Sequence, residues 1–289
     1  MTRESAMPAY RPVLLPALFA LLLSGCAGIA PLSSQAPLGK EAREALKLAH
    51  TLRDNQRLQA AHEVYARMDE RGQLDGSYLL EYATVAAAVR PPQEALALYE
   101  RARLSLGGDI QAMPAEQRLA LCNGVGRAHL ALGRAQRAEG DFRCALETDS
   151  ANPQAHNGLG VALNLQGHDE QARQQFEQAL HSDPGYSPAL NNLALSWLAN
   201  GDSSQAIGLL NQARGQGDIS LQLNLALAYV IAGHDDTAKR VLLDNLEEEY
   251  ATRILDGFRA ARERIQGGAP LASELLAASQ QPLALKERD

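Results

Sequence analysis

The chain has 289 residues and a formal net charge of −7, and 46% of its residues are hydrophobic whereas only 4% are aromatic. A core with so few aromatic side chains has to be built mainly from Ala and Leu, which favours helices packed on helices and therefore an all-α fold. The sequence has no run of Lys and Arg, so we do not expect the electrostatic binding that nucleic acids require.

Residues 1–25 have the pattern of an export signal. Two arginines precede an apolar run over 13–23, which is too short to span a bilayer and has the length of a signal-peptide core. The sequence Leu23-Ser24-Gly25-Cys26 resembles the lipobox of bacterial lipoproteins. This resemblance implies cleavage before Cys26 and attachment of lipid to its thiol. The alternative is an ordinary secretory peptide with an incidental cysteine.

The residue after the lipobox bears on the destination of the protein. Ala27 stands where an Asp would resemble an inner-membrane retention signal, so the resemblance implies the periplasmic face of the outer membrane, with the lipid as the membrane anchor. Residues 26–41 contain prolines, serines and glycines, a composition that predicts a flexible tether.

A 34-residue period dominates the sequence that follows. A unit starting at Pro153 has small residues at positions 8, 20 and 27 and a large one at position 24, which resembles the tetratricopeptide pattern. These residues are Gly160, Ala172, Ala179 and Phe176. Similar residues recur in units 34 positions earlier and 34 positions later, and weaker copies extend the array in both directions. The starts of all six units lie near residues 42, 76, 119, 153, 187 and 219.

The resemblance implies an all-α, right-handed superhelical solenoid of about six helical hairpins over residues 42–252. Nine extra residues, 107–115, separate the second and third units. Residues 253–289 are predicted to form a capping helix over 253–266 followed by a tail. For the tail over 271–289, a short amphipathic helix and a loose segment both remain open.

Motifs for chemistry are missing from the sequence. No two histidines have the i, i+4 spacing of a helical metal site, and no nucleophile elbow or phosphate-binding loop occurs. We therefore predict no catalytic residue, no metal or other cofactor and no small-molecule substrate. Cys122 and Cys144 fall on the two helices of one predicted hairpin, where a disulfide and two free thiols are both open alternatives.

Asparagines recur on the predicted inner face of the array. Three lie 34 residues apart at position 5 of their units and two more lie at position 6, namely Asn123, Asn157 and Asn191, and Asn192 and Asn224. An Asn side chain both donates and accepts hydrogen bonds, so such a column is suited to hold the backbone of an extended peptide. The alternative is that these side chains merely face water. Arg127 at position 9 departs from the pattern of arrays that clamp the carboxylate of chaperone tails.

A lipobox followed by such repeats resembles the TadD family of lipoproteins in tight-adherence pilus assembly and, more loosely, the pilotins of type IV pili. The resemblance implies a non-enzymatic scaffold that binds a protein partner, which in these families is a secretin. It places the partner in a groove that contains Asn123, Arg127, Asn157, Asn191, Asn192 and Asn224. The alternative function is a periplasmic adaptor that docks peptidoglycan hydrolases or proteases.

Overall fold

A computed structural model describes residues 38–213 and 218–271, together with 274, 275 and 278. The chain divides into two units, Met1–Pro37 and Leu38–Asp289, and all described residues belong to the second. The predicted signal peptide and Cys26 lie outside the described residues, as does most of the tail over 271–289.

The described residues form thirteen α-helices, one 3₁₀ turn and no strand. The helices, in chain order, are α1 (Lys40–Asp54), α2 (Leu58–Glu70), α3 (Gly76–Val89), α4 (Pro92–Ser105), α5 (Ala115–Ala131), α6 (Ala135–Thr148), α7 (Pro153–Asn164), α8 (Asp169–Ser182), α9 (Ser187–Ala199), α10 (Ser203–Gln212), α11 (Ile219–Ile231), α12 (Asp235–Leu243) and α13 (Glu248–Gln266). None of them is both long enough and apolar enough to cross a membrane.

The first twelve helices pair as six hairpins, and each hairpin packs on the next. The two helices of every hairpin contact each other. The first helices α3, α5, α7, α9 and α11 also form an unbroken row of neighbours, and α13 continues the row beyond the last hairpin. This arrangement is a solenoid of helical hairpins, and the predicted all-α fold class is confirmed. In such solenoids the row of first helices forms the inner, concave surface.

The repeated small residues make room for a large side chain at position 24. Phe142 is only 1% exposed, and its ring lies between the first helix of its own hairpin and that of the next. A Cβ atom added at Gly126 would lie 3.0 Å from this ring, and one added at Gly158 would lie 2.3 Å from it. Phe176 approaches Gly160 in the same way, with a corresponding distance of 2.5 Å. The glycines therefore set how closely consecutive helices pack.

Glycine at position 15 ends the first helix of four hairpins. These residues have φ angles between +68° and +85°, in the left-handed region that L side chains rarely adopt. They are Gly133, Gly167, Gly201 and Gly233. Because the same turn recurs in each hairpin, the second helix starts at an equivalent point and the register of the repeats is kept.

Two helices begin earlier than the sequence analysis predicted. Helix α5 starts at Ala115, four residues before the predicted start of the third unit, and a 3₁₀ turn at Ile110–Ala112 occupies the inserted segment. Helix α13 starts at Glu248, so the predicted start of the capping helix at residue 253 is wrong. Two glutamates lie in its first turn, where negative charge stabilises a helix N-terminus.

Candidate protein-binding groove

The asparagines of the predicted groove pair with one another across consecutive first helices. The amide nitrogen of Asn192 on α9 donates to the side-chain oxygen of Asn157 on α7 at 2.9 Å. In the next interval, Asn224 on α11 donates to Asn191 on α9. Position 6 of one unit thus bonds to position 5 of the unit before it.

The third position-5 asparagine has a different partner. The equivalent of Asn192 in the fourth unit is Gly158, which has no side-chain amide to donate. Asn123 instead donates to Asn152 at 3.3 Å, and Asn152 accepts a hydrogen bond from the backbone of Ala155 at the start of α7. These contacts tie α5 to the N-terminus of α7.

The pairing changes the role expected for the asparagine column. Asn123 is 8% exposed and Asn224 is 4% exposed, so neither presents its amide to a bound peptide, and the prediction that both face the groove needs correction. The physical reason is that adjacent units pack over both side chains: each amide nitrogen donates to another asparagine, and each side-chain oxygen is buried without a hydrogen-bond partner. Asn157, Asn191 and Asn192 are half-buried and stay at the groove surface.

An apolar section of the groove lies across α7 and α9. A cavity of about 330 Å³ opens there, beside the half-buried amide of Asn192, and Leu165 at its edge is 60% exposed. Its apolar lining comes mainly from positions 9 and 13 of the two first helices: Val161, Leu165, Leu195 and Ala199. Exposed leucine beside an open cavity is costly in water and is typical of a surface that binds an apolar side chain.

A polar section of the groove lies across α1, α3 and α5. A cavity of about 230 Å³ is lined here by Arg53, Ser77, Leu80, Glu81, Thr84, Glu116, Gln117 and Ala120. Its centre is the carboxylate of Glu81, which accepts hydrogen bonds from Tyr65 at 2.9 Å and from Arg53 at 3.4 Å and lies 2.6 Å from the His50 ring. Burial, and then the charge of Glu81, raise the pKa of the Tyr65 hydroxyl well above its ordinary value. The hydroxyl therefore stays a hydrogen-bond donor.

This polar cluster was not predicted from the sequence. Its members come from several helices, and only Tyr65 lies at a recurring position, position 24 of the first unit. His50, Arg53 and Glu81 share no repeat position, so the period does not predict that they meet. Arg127, which was predicted to line the groove, is exposed on α5. Burial raises the pKa of the Tyr186 hydroxyl, and the positive charge of Arg127 opposes that shift with a smaller effect.

The two cysteines of the third hairpin are joined by a disulfide. Cys122 on α5 and Cys144 on α6 have Cα atoms 5.9 Å apart, inside the range that disulfides require. The bond links the two antiparallel helices of one hairpin and does not join different repeats. It lies among Ala145 and Ala155, at the contact between the third and fourth units.

Within the described part of the chain, no group of three or more His, Cys, Asp or Glu side chains is placed to hold a metal ion.

Outside the polar section, the side chains of His129 and Asp141 approach to 2.7 Å. Burial raises the pKa of Asp141, and the hydrogen bond from His129 opposes that shift. The pair joins α5 to α6 and thus stabilises a hairpin.

Comparison with known proteins agrees with this geometry. Residues 126–187 and 166–220 match the family model described as tetratricopeptide repeat. The fold is a tetratricopeptide-type solenoid. Arrays of this type bind other proteins on their concave surface, so the repeats indicate a scaffold for protein–protein interaction. No curated protein sequence matches the chain.

Several solved structures share the fold at low sequence identity. A tetratricopeptide repeat protein from Parabacteroides merdae is 18% identical, with a TM-score of 0.55, over 84% of this chain and 100% of that one. PilW, described as a widely conserved type IV pilus biogenesis factor, is 19% identical, with a TM-score of 0.56, over 72% of this chain and 94% of its own. A thermophilic protein of this class from Thermus thermophilus is 19% identical, with a TM-score of 0.52, over 65% and 99% of the two chains. At such identities the similarity extends to the fold alone.

Proposed function

We propose that this protein is an outer-membrane lipoprotein that binds a secretin through the apolar section of its groove during assembly of a tight-adherence type pilus. The lipid on Cys26 anchors the protein at the periplasmic face, and the repeat array holds the secretin's C-terminal region. Both the lipobox at Leu23-Ser24-Gly25-Cys26 and the resemblance to pilus lipoproteins support this proposal.

The observation that carries the binding step is the exposed apolar surface across α7 and α9. Leu165 is 60% exposed beside a cavity of about 330 Å³, while the surrounding core side chains are closely packed. Covering such a surface with an apolar side chain of a partner removes it from water and contributes about 25 cal/mol per Å² of apolar area. Asn164 and the half-buried Asn192 line the same cavity and supply polar contacts to a bound segment.

The proposal is tested by titrating the secretin's C-terminal region into the mature chain and into two leucine variants. Leu165→Asn removes an apolar contact from the groove. Leu104→Asn is the matched control, because Leu104 is 59% exposed but lies on α4, a second helix of the array. Each replacement exchanges an exposed leucine for the same polar residue, so neither should unfold the protein.

We expect Leu165→Asn to weaken secretin binding by about tenfold or more and Leu104→Asn to leave it unchanged. Equal weakening by both variants, or by neither, would remove the groove from the interaction. If the wild-type chain binds a peptidoglycan hydrolase or a protease and not the secretin, the adaptor function replaces the pilus function.

A further inference from the structure

The apolar section of the groove already contacts a side chain from the C-terminal end of this chain. Leu275 lines the same cavity as Val161 and Leu165, although it is more than 100 residues later in the sequence. It is only 3% exposed. The chain therefore returns from α13 to the surface formed by α7 and α9.

The path of the chain after α13 is defined by backbone contacts. Gly268 has a φ of +98° and ends the helix, and the amide of Ala269 bonds to the carbonyl of Arg264 at 2.9 Å. The amide of Glu274 then bonds to the carbonyl of Pro270 at 3.2 Å, which is a helical turn. An ion pair of 2.8 Å between Arg264 and Glu274 holds this turn against α13.

The described apolar side chains of this segment have the spacing of a helix that binds in a groove. Leu271, Leu275 and Ala278 lie at i, i+4 and i+7, so they share one helical face. Leu275 and Ala278 are buried in the C-terminal core cluster, and Leu271 packs against it. Glu274, between them, forms the ion pair at the surface.

We propose that the face formed by Leu271, Leu275 and Ala278 is an intramolecular ligand of the groove, and that the partner binds there as an amphipathic helix with apolar side chains at i, i+4 and i+7. This inference rests on the proposed function and specifies the chemistry of the partner segment. A partner helix of this kind fills the position of Leu275, so binding requires the chain's own segment to leave. The segment thus lowers the affinity of the unoccupied scaffold for weak or incorrect partners.

The probe for this test is a fluorescent synthetic peptide of residues 269–282, titrated into full mature chains. In the wild-type chain Leu275 already occupies one side of the cavity, whereas Leu275→Asp places a charge in an apolar cavity and releases the segment. We expect the Leu275→Asp chain to bind the peptide about tenfold or more tightly than the wild-type chain. A peptide that itself carries Leu275→Asp should bind neither chain.

A second variant guards against local unfolding of the C-terminal end. Glu274→Gln breaks the ion pair with Arg264 without placing a charge in the core, and we expect it to raise peptide affinity by a smaller factor, about fivefold at most. Circular dichroism should give the same helix content for wild-type and variant chains. Adding Leu165→Asn to the Leu275→Asp chain should weaken peptide binding again, because the peptide occupies the same cavity.

The outcomes separate this inference from the proposed function. Equal peptide affinities of the wild-type, Leu275→Asp and Glu274→Gln chains would overturn the intramolecular ligand, whether or not secretin binds. Binding of the Asp-substituted peptide as tightly as the unsubstituted one would also overturn it. If the released chain binds the peptide but no chain binds the secretin, the intramolecular ligand stands and the secretin is the wrong partner.

Discussion

At the scale of single residues, the asparagines act first as connections between repeats. A buried side-chain amide that loses its partner costs about 1 to 3 kcal/mol, more than the net gain of an ordinary hydrogen bond. The two asparagine pairs join α7 to α9 and α9 to α11, so part of the column predicted to bind a peptide stabilises the array. Asn157 and Asn191 keep both roles because they are only half-buried.

The stabilising role predicts a measurable coupling between Asn191 and Asn224. We expect Asn224→Ala to lower the free energy of unfolding by about 1 to 2 kcal/mol, and a double-mutant cycle with Asn191→Ala to give a coupling of about 1 kcal/mol. The pair formed by Asn157 and Asn192 is the control, because it lies nearer the surface and should couple more weakly. Additive effects of Asn191→Ala and Asn224→Ala in urea unfolding would show that their hydrogen bond contributes nothing.

Glycine in this protein has opposite effects in different helices. Gly160 on α7 faces the ring of Phe176, and a Cβ atom there would lie 2.5 Å from a ring carbon. Gly140 on α6 has no atom within 4 Å of the equivalent position. The first glycine is required by packing, whereas the second only lowers the stability of its helix.

We therefore expect alanine to destabilise the protein at one glycine and to stabilise it at the other. Gly160→Ala should lower the free energy of unfolding by about 1 to 3 kcal/mol, because the Phe176 ring has to move. Gly140→Ala should raise it by about 0.5 to 1 kcal/mol. Thermal unfolding followed by circular dichroism measures both, and a destabilising Gly140→Ala would contradict the packing described above.

At the scale of elements, the third hairpin has a covalent link that the other hairpins of the described array do not share. The disulfide joins residues 22 positions apart, and closing a loop of that length in the unfolded chain contributes roughly 3 kcal/mol in the chain-entropy view. The hairpin formed by α5 and α6 also follows the inserted segment with its 3₁₀ turn. The link stabilises the third hairpin itself and lies at its contact with the fourth unit.

Reduction should therefore weaken the protein at this hairpin. We expect a reductant to lower the free energy of unfolding by up to about 3 kcal/mol in the wild-type chain. The variant Cys122→Ala/Cys144→Ala should have the reduced stability from the start and should not respond to the reductant. A wild-type chain that is insensitive to reduction would mean that the two thiols are not bonded in solution.

The element scale also shows how far the sequence determines the structure. The 34-residue period predicts the hairpins well, because Gly133, Gly167, Gly201 and Gly233 end the first helices at one repeated position. The start of α13 was missed because its first turn lies inside the last predicted unit, whose second helix α12 already ends at Leu243. Two glutamates in that turn stabilise the new helix N-terminus. Repeat spacing thus predicts the elements that follow the pattern and fails where the pattern ends.

At the scale of the whole molecule, the repeat period predicts which helices form the row of first helices, but it does not predict the side-chain contacts along that row. Equal spacing identifies the face on which Asn157 and Asn191 lie, whereas the depth of each amide depends on how one unit rotates against the next. The polar cluster around Glu81 joins three helices without a shared repeat position. The contact of Leu275 with α7 and α9 depends on the direction of the chain after α13, which no local pattern specifies.

We propose that one molecule combines a lipid anchor with a groove that carries a secretin to the outer membrane. The measurement that tests it most directly is the amount of secretin in the outer-membrane fraction of cells that produce wild-type protein, Cys26→Ser, Leu165→Asn or Leu104→Asn. We predict that Cys26→Ser strongly reduces this amount because the protein loses its anchor. Leu165→Asn should reduce it strongly because the protein no longer binds the secretin. Leu104→Asn should leave it at the wild-type level. Unchanged secretin in the outer membrane of both the Cys26→Ser and the Leu165→Asn cells would contradict the account.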